Sequence, residues 1–186
     1  MNTLAVDATV DEGRYTSFAV TQSAHPDHPT LRRHRIGVGL YDRAEDGRLV
    51  RRTTVETDVV GERTDVAKLL GAEQPDLVLL NDGDLSYAKV RFDERSLATV
   101  RESIQDIDDS LARAVCWGAL WDMTRDAELP AGAFVEMVPA KALTNVSWWS
   151  LPAAASSRRR RRPDSQVTRS AFRLSGWQSW SIAICT

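Results

Sequence analysis

With 186 residues, 42% of them hydrophobic and 27% charged, the chain has the composition of an ordinary globular protein, long enough for one sizeable domain or two small ones. No run approaches the roughly 20 apolar residues of a membrane-spanning helix, and residues 1–7 offer neither a basic start nor an apolar stretch, so neither a span nor a secretory signal is expected. The net charge of -2 conceals a division, with 16 basic and 25 acidic side chains over residues 1–137 but eight basic ones against Asp164 alone over residues 138–186.

From Arg14 to Phe92 the dominant pattern has period two, with β-branched and aromatic residues between turn formers. Tyr15, Phe18 and Val20 mark a first strand. Residues 25–29 (HPDHP) form a loop, because proline has no N–H to give to a ladder. Over residues 33–41, His34, Ile36, Val38 and Leu40 point one way, and Arg35, Gly37, Gly39 and Tyr41 the other. A turn at Glu45, Asp46 and Gly47 leads into a return strand over 49–60, completing a hairpin. Residues 77–80 are a short apolar run suited to a buried strand. The turn at 81–84 then leads to a last strand, where Tyr87, Lys89 and Arg91 alternate with Ala88, Val90 and Phe92. About five strands punctuated by turns imply a small β-sandwich.

At Asp93 the period changes. Asp93 is a good N-cap for a helix carrying Leu97, Val100 and Ile104, and Asp108 or Asp109 caps a second. The apolar face of that second helix is expected to be Leu111, Ala114, Val115, Gly118 and Trp121, or else Leu120 and Met123. Pro130 stops it, and residues 131–138 open a third. The fold class is therefore an α+β arrangement in sequence order, a β-sandwich over residues 1–93 followed by helices over 94–138. Residues 139–186 are an irregular basic tail. Neither period is sustained there around Trp148, Trp149, Arg158 to Arg162, Trp177 and Trp180, and disorder is expected. Its composition is that of a shifted reading frame in a GC-rich gene.

Candidate sites weigh lightly. His25 and His28 have a spacing that holds a metal in some proteins, but the prolines at 26 and 29 put both in an exposed loop, and His34 belongs to a strand. Asn81, Asp82 and Asp84 resemble part of a calcium loop but lack the downstream glutamate, so turn chemistry is the better reading. Asp106, Asp108 and Asp109 serve a helix start better than a catalytic pair. Cys116, among apolar neighbours and without a nearby histidine, is read as a core thiol. With Cys185 it makes only two cysteines, too few for a disulfide framework or a cysteine-built metal site, so a reducing cytoplasm is the expected setting. The arginines and tryptophans of the tail have the ingredients for single-strand nucleic-acid contact, but without a fold to position them no specific nucleic acid is expected.

Residues 77–93 (LVLLNDGDLSYAKVRFD) and 107–130 (IDDSLARAVCWGALWDMTRDAELP) resemble the M1 family of zinc aminopeptidases (aminopeptidase N), actinobacterial type. They are similar to the last hairpin of that family's β-sandwich domain and an early helix of its helical C-terminal domain. Residues 13–22 (GRYTSFAVTQ) and the strand around 34–41 also fit, so the resemblance covers about residues 2–138. It implies a truncated, HEAT-like helical domain after the sandwich, and a parent enzyme that removes N-terminal residues from peptides with zinc. The family's chemistry needs His-Glu-x-x-His on a helix, which places two histidines on one face with the glutamate as general base. This sequence has no such run, and the substrate-anchoring Gly-x-Met-Glu-Asn has only a faint echo at residues 71–75 (GAEQP). No catalytic, metal or substrate-binding residue carries over, and zinc is expected in the full-length enzyme, not in this chain.

The resemblance thus implies a non-catalytic C-terminal fragment that braces and caps a catalytic domain lying upstream or on a separate chain. That domain is its expected partner, and peptides are met only through it. The alternative is a free-standing β-sandwich binding module with an Arg/Trp-rich, nucleic-acid-sticking tail. Apolar surface exposed where the catalytic domain should dock favours the fragment, and a formed aromatic groove on a well-covered sandwich favours the module. Separately, the loss of most helices is expected to leave Leu111, Val115 and Trp121 poorly covered and the chain marginally stable.

Overall fold

The computed structural model describes residues 1–138; the tail, with its expected disorder and shifted frame, lies outside the described residues. Seven strands precede three helices. The strands are β1 (Thr3–Asp11), β2 (Arg14–Ser23), β3 (His34–Arg43), β4 (Leu49–Val59), β5 (Arg63–Asp65), β6 (Leu77–Leu80) and β7 (Lys89–Arg91). The helices are α1 (Glu94–Ser103), α2 (Ser110–Arg125) and α3 (Ala131–Met137). One sheet has the order β5-β2-β1-β7 and the other β4-β3-β6. Every pairing is antiparallel except β1 with β7.

Two strands lie outside the sequence reading. In β1, Leu4, Val6, Ala8 and Val10 alternate with Thr3, Ala5, Asp7 and Thr9, a pattern that continues the period-two signal upstream of Arg14. β5 is three polar residues with no hydrophobic signal of its own, and it exists because Ala19, Val20 and Thr21 of β2 offer it a ladder.

Leu4, Phe18 and Val20 of the first sheet meet Ile36, Val38, Leu40 and Leu80 of the second in one apolar cluster, which makes the pair a sandwich. Tyr15 and Phe18 touch edge to face there, their centroids 5.0 Å apart. The second sheet is covered on its other face too. Tyr41, Leu49, Leu77 and Leu79 pack against Val100, Ile104, Cys116 and Leu120 of the helical segment. This double burial explains why β6 reads as an unbroken apolar run, Val78 and Leu80 facing one core and Leu77 and Leu79 the other.

Helix α1 also closes the free edge of β6. The buried Ser96 Oγ accepts from Val78 N–H at 2.9 Å and donates to Asp93 Oδ2 at 2.7 Å, while Thr99 Oγ1 donates to the Asp76 carbonyl at 2.8 Å. The expected caps are in place. Asp93 accepts from Ser96 N–H at 2.9 Å, and Asp109, not Asp108, accepts from Leu111 and Ala112.

The first of the two faces proposed for α2 is corrected. Its buried stripe is Ala112, Cys116, Ala119, Leu120 and Met123, whereas Leu111 is 45% and Trp121 50% exposed. The side packed against the sheet mixes the small Ala112, Cys116 and Ala119 with Leu120 and Met123, the second face proposed. The larger Leu111 and Trp121 are left on the outside.

Candidate functional site

The most organised polar cluster lies where the outer face of the β4-β3-β6 sheet meets α2. Three local features build it. Beyond β6 the chain enters the left-handed region at Asn81 (φ 58°) and folds back across β3, so that Asp82 N–H donates to the Gly37 carbonyl at 3.0 Å. Gly37 and Gly39 make room for this. A Cβ on Gly39 would stand 2.5 Å from Asp82 Oδ2, and one on Gly37 the same distance from the Asp82 carbonyl oxygen. Finally, a bulge shifts the register of β4, which pairs Leu40 with Thr53 but Tyr41 with Arg51 and leaves Arg52 without a partner. Strict alternation from Thr54 would bring Arg52 to the helix face; the extra residue brings Arg51 there instead.

The Asp82 side chain, 1% exposed, is thereby surrounded by donors. Tyr41 Oη donates to Oδ1 and Thr54 Oγ1 to Oδ2, both at 2.8 Å, and Arg51 Nε lies 3.3 Å from Oδ2. Arg51 also donates to Tyr41 Oη at 3.1 Å, sits over the Tyr41 ring at 5.7 Å, and reaches Asp109 at the start of α2. A chain of charge thus runs from a buried carboxylate to a helix cap.

The electrostatics follow from these contacts. Burial and then the bond to Asp82 push the Tyr41 hydroxyl well above its ordinary value. Burial, then the nearby Asp82 charge, does the same for the Cys116 thiol, which is free and wholly enclosed. It is therefore a packed thiol and not a nucleophile. At Asp109 burial pushes upward but is outweighed by the Ala112 and Leu111 amides and by Arg51, which hold its carboxyl below the usual range.

The far end of α2 is tied to the first sheet as well. Lys89 Nζ contacts Asp126 Oδ2 at 2.5 Å, and Arg91, only 11% exposed, reaches Asp126 and Glu128. Arg91 Nε stands 2.5 Å from Glu128 Oε2 in an ion contact whose angle makes no hydrogen bond. Arg48 with Asp108 at 2.8 Å and Arg43 with Ser103 Oγ at 2.7 Å add further ties to the segments around α2.

The other sequence candidates fall as follows. His25 is in the exposed loop, its Nδ1 3.6 Å from Asp27. His28 is also exposed. The buried His34 has Nε2 3.1 Å from Asn2 Oδ1. An amide oxygen only accepts, so Nε2 is the donor, and burial followed by the Arg32 charge lowers the pKa of His34. Asn81 and Asp84 form the expected turn, Asp84 N–H donating to the Asn81 carbonyl at 2.8 Å, but Asp82 faces inward. Asp106 lies in a single 3-10 turn with Gln105 on its carboxylate. Among the described residues no three His, Cys, Asp or Glu side chains group as metal ligands, so they do not fit a zinc site. No helix among them is long and apolar enough to cross a membrane. The tail arginines and tryptophans lie outside the described residues.

The outer face of α2 is open. A cleft of about 430 Å³ runs between it and the 81–88 loop, with Leu111, Val115, Trp121 and the 86%-exposed Tyr87 on its walls.

Residues 77–173 match the ERAP1-like C-terminal domain. The match opens in β6, the strand shared by both cores, and runs beyond the change of composition at 138. The chain is also 49% identical over 145 residues to a protein named Aminopeptidase N from Streptomyces lividans. That alignment covers 74% of this chain and 17% of the relative, so the chain spans about a sixth of the relative's length.

Proposed function

This chain belongs to the M1 aminopeptidases, through their ERAP1-like C-terminal domain, and from that premise we propose that it is a non-catalytic piece of such an enzyme, a rigid brace between a catalytic domain and a helical domain. The observation that carries the reading is α2 fastened at both ends, by Arg51 to Asp109 at its start and by Lys89 and Arg91 to Asp126 at its finish. A helix held this way cannot rock on the sandwich without breaking several ion pairs together. Whatever docks on one is fixed relative to the other. The half-exposed Leu111 and Trp121, which line one cleft with Tyr87, support the fragment over a self-sufficient binding module, since exposed large apolar groups gathered on one surface mark a docking site.

In this reading the hydrolysis of peptides and the zinc that drives it belong to the parent enzyme, and this chain reaches peptides only through its catalytic partner. We place the protein in the cytoplasm, a setting supported by the free thiol of Cys116. The test is reassembly. The Streptomyces aminopeptidase without its aligned 145 residues is co-expressed with this chain. Co-purification with a raised melting temperature is expected, reduced at least five-fold in yield by Leu111→Glu with Trp121→Glu. Failure to associate, or chelator-sensitive cleavage of an aminoacyl anilide by this chain alone, overturns the proposal.

A further inference from the structure

Away from the seam between the β4-β3-β6 sheet and α2, a cleft of about 760 Å³ lies between the 25–33 connection and the 83–88 loop. Its polar wall carries Arg32, Arg33 and His28, and its apolar wall Tyr87 and Leu85, which are 86% and 55% exposed. Two things set the arginines apart. Within residues 1–138, where acidic side chains outnumber basic ones 25 to 16, every other arginine has a carboxylate, carbonyl or other partner. Arg32 and Arg33 have no hydrogen-bond or ion-pair partner for their guanidinium groups among the described residues. Moreover, the backbone that presents them is held by buried amides. Asn2, 3% exposed, accepts from Arg32 N–H at 3.2 Å and donates to the Thr30 carbonyl at 2.9 Å. Gln22, 4% exposed, donates to the Arg32 carbonyl at 2.7 Å. His34 completes the support by donating to the same Asn2 oxygen.

Burying two amides and an imidazole is unfavourable unless their hydrogen bonds are satisfied. Here the bonds that are made converge on residues 30–32 and fix the backbone there, while Gln22 Oε1 has no hydrogen-bond partner among the described residues. Two consecutive arginines on one cleft wall, with no partner for their guanidinium groups among the described residues, are suited to an oxyanion, which arginine binds through paired N–H donors. The aromatic and aliphatic wall opposite adds a place for an apolar substituent. Asp27, also on the rim, lies 3.6 Å from His25 and leaves the arginines unopposed.

We propose that this cleft binds a carboxylate carried on an apolar group, with Arg32 and Arg33 holding the anion and Tyr87 and Leu85 covering the apolar part. A free small carboxylate and the C-terminal residue of a peptide share this chemistry. The site stands apart from the brace reading and survives its failure, because none of these residues takes part in the seam.

The experiment is a titration of the full ¹⁵N-labelled chain followed by amide shifts. The probes are N-acetyl-phenylalanine, its carboxamide, the tripeptide Ala-Ala-Phe, and inorganic phosphate. Saturable shifts at Asn2, Arg32, Arg33 and Tyr87 are expected with the first and third probes, and their order of affinity identifies the source of the carboxylate. At least five-fold weaker binding is expected in Arg32→Gln with Arg33→Gln. Tyr87→Ser should weaken N-acetyl-phenylalanine but leave acetate, titrated as a fifth probe without an apolar group, unchanged. Absence of saturable shifts at these residues overturns the proposal, as does equal binding of the carboxamide or stronger binding of phosphate than of either carboxylate.

Discussion

The β4-β3-β6 sheet is covered on both sides, and its two faces are built by different rules. Toward the first sheet it presents Ile36, Val38, Leu40 and Leu80, an apolar set that many sequences of similar volume would satisfy. Toward the helices it presents Tyr41, Leu77 and Leu79 together with two glycines and a carboxylate that three specific donor atoms surround. The first face gives cohesion. The second gives position, because a buried charge is tolerable only where its donors stand in the right places.

That contrast fixes the order of expected losses. Asp82→Ala removes the acceptor for Tyr41, Thr54 and Arg51 at once. A buried donor left unsatisfied costs about 1–3 kcal/mol, and the Arg51 share is the smallest because that side chain is 38% exposed and keeps Asp109. Leu80→Ala on the opposite face leaves an apolar cavity, at about 2–5 kcal/mol. Urea unfolding separates the two in kind. Leu80→Ala should lower the midpoint alone, whereas Asp82→Ala should also loosen α2, read as faster amide exchange at Cys116 and Leu120. Equal exchange in both variants would break the comparison and make the seam an ordinary core.

A subtler change tests the space left for the carboxylate. Gly39→Ala puts a methyl group 2.5 Å from Asp82 Oδ2 and 2.9 Å from the Tyr41 ring. Neither side chain is free to move, since Tyr41 Oη donates to Asp82 Oδ1 and accepts from Arg51, and Thr54 Oγ1 donates to Asp82 Oδ2. Overpacking of this kind costs about 1–3 kcal/mol, and the thermal midpoint should fall accordingly. Gly118→Ala is the control. Nothing lies within 4 Å of a Cβ at Gly118, and alanine favours the helix by about 0.8–1.0 kcal/mol over glycine, so its midpoint should rise.

These same elements show what a sequence discloses. The order of strands then helices, the β3–β4 hairpin and the caps at Asp93 and Asp109 all rest on local signals, a period or a side chain two or three residues from its partner. The family resemblance was legible as well, in residues 77–93 and 107–130. The seam was not. Tyr41 and Asp82 are 41 residues apart, Arg51 and Asp109 are 58, and no periodicity links them. Asn81, Asp82 and Gly83 spell a turn correctly, but the direction of the Asp82 side chain depends on two missing Cβ atoms in another strand. The face of α2 was ambiguous for a related reason. Burial ordinarily tracks side-chain size, yet the buried side of α2 carries Ala112, Cys116 and Ala119 and leaves out Leu111 and Trp121.

The smallest expected effect concerns the link between seam and helix. Asp109 both caps α2 and receives Arg51, and its carboxyl titrates below the ordinary 3.8 despite burial. Because its folded-state pKa is depressed, its contribution is fully present above about pH 4 and is lost as pH falls through the folded value. Asp76, held down against burial by the Arg43 amide and Arg95, and Asp126, held down by Lys89 and Arg91, add to the same acid limb. Asp42 opposes them, since burial raises its pKa. Asp109→Ala should therefore cost about 1 kcal/mol at pH 7, the usual worth of a cap. With 35% of the side chain exposed, added salt should reduce the Arg51 share of that cost. As pH falls below about 4 and the carboxyl takes up its proton, the difference between parent and variant should narrow. A gap that stays constant from pH 7 to pH 2 would mean that Asp109 acts through its shape and not its charge, and would cut the chain of charge between the buried carboxylate and the helix.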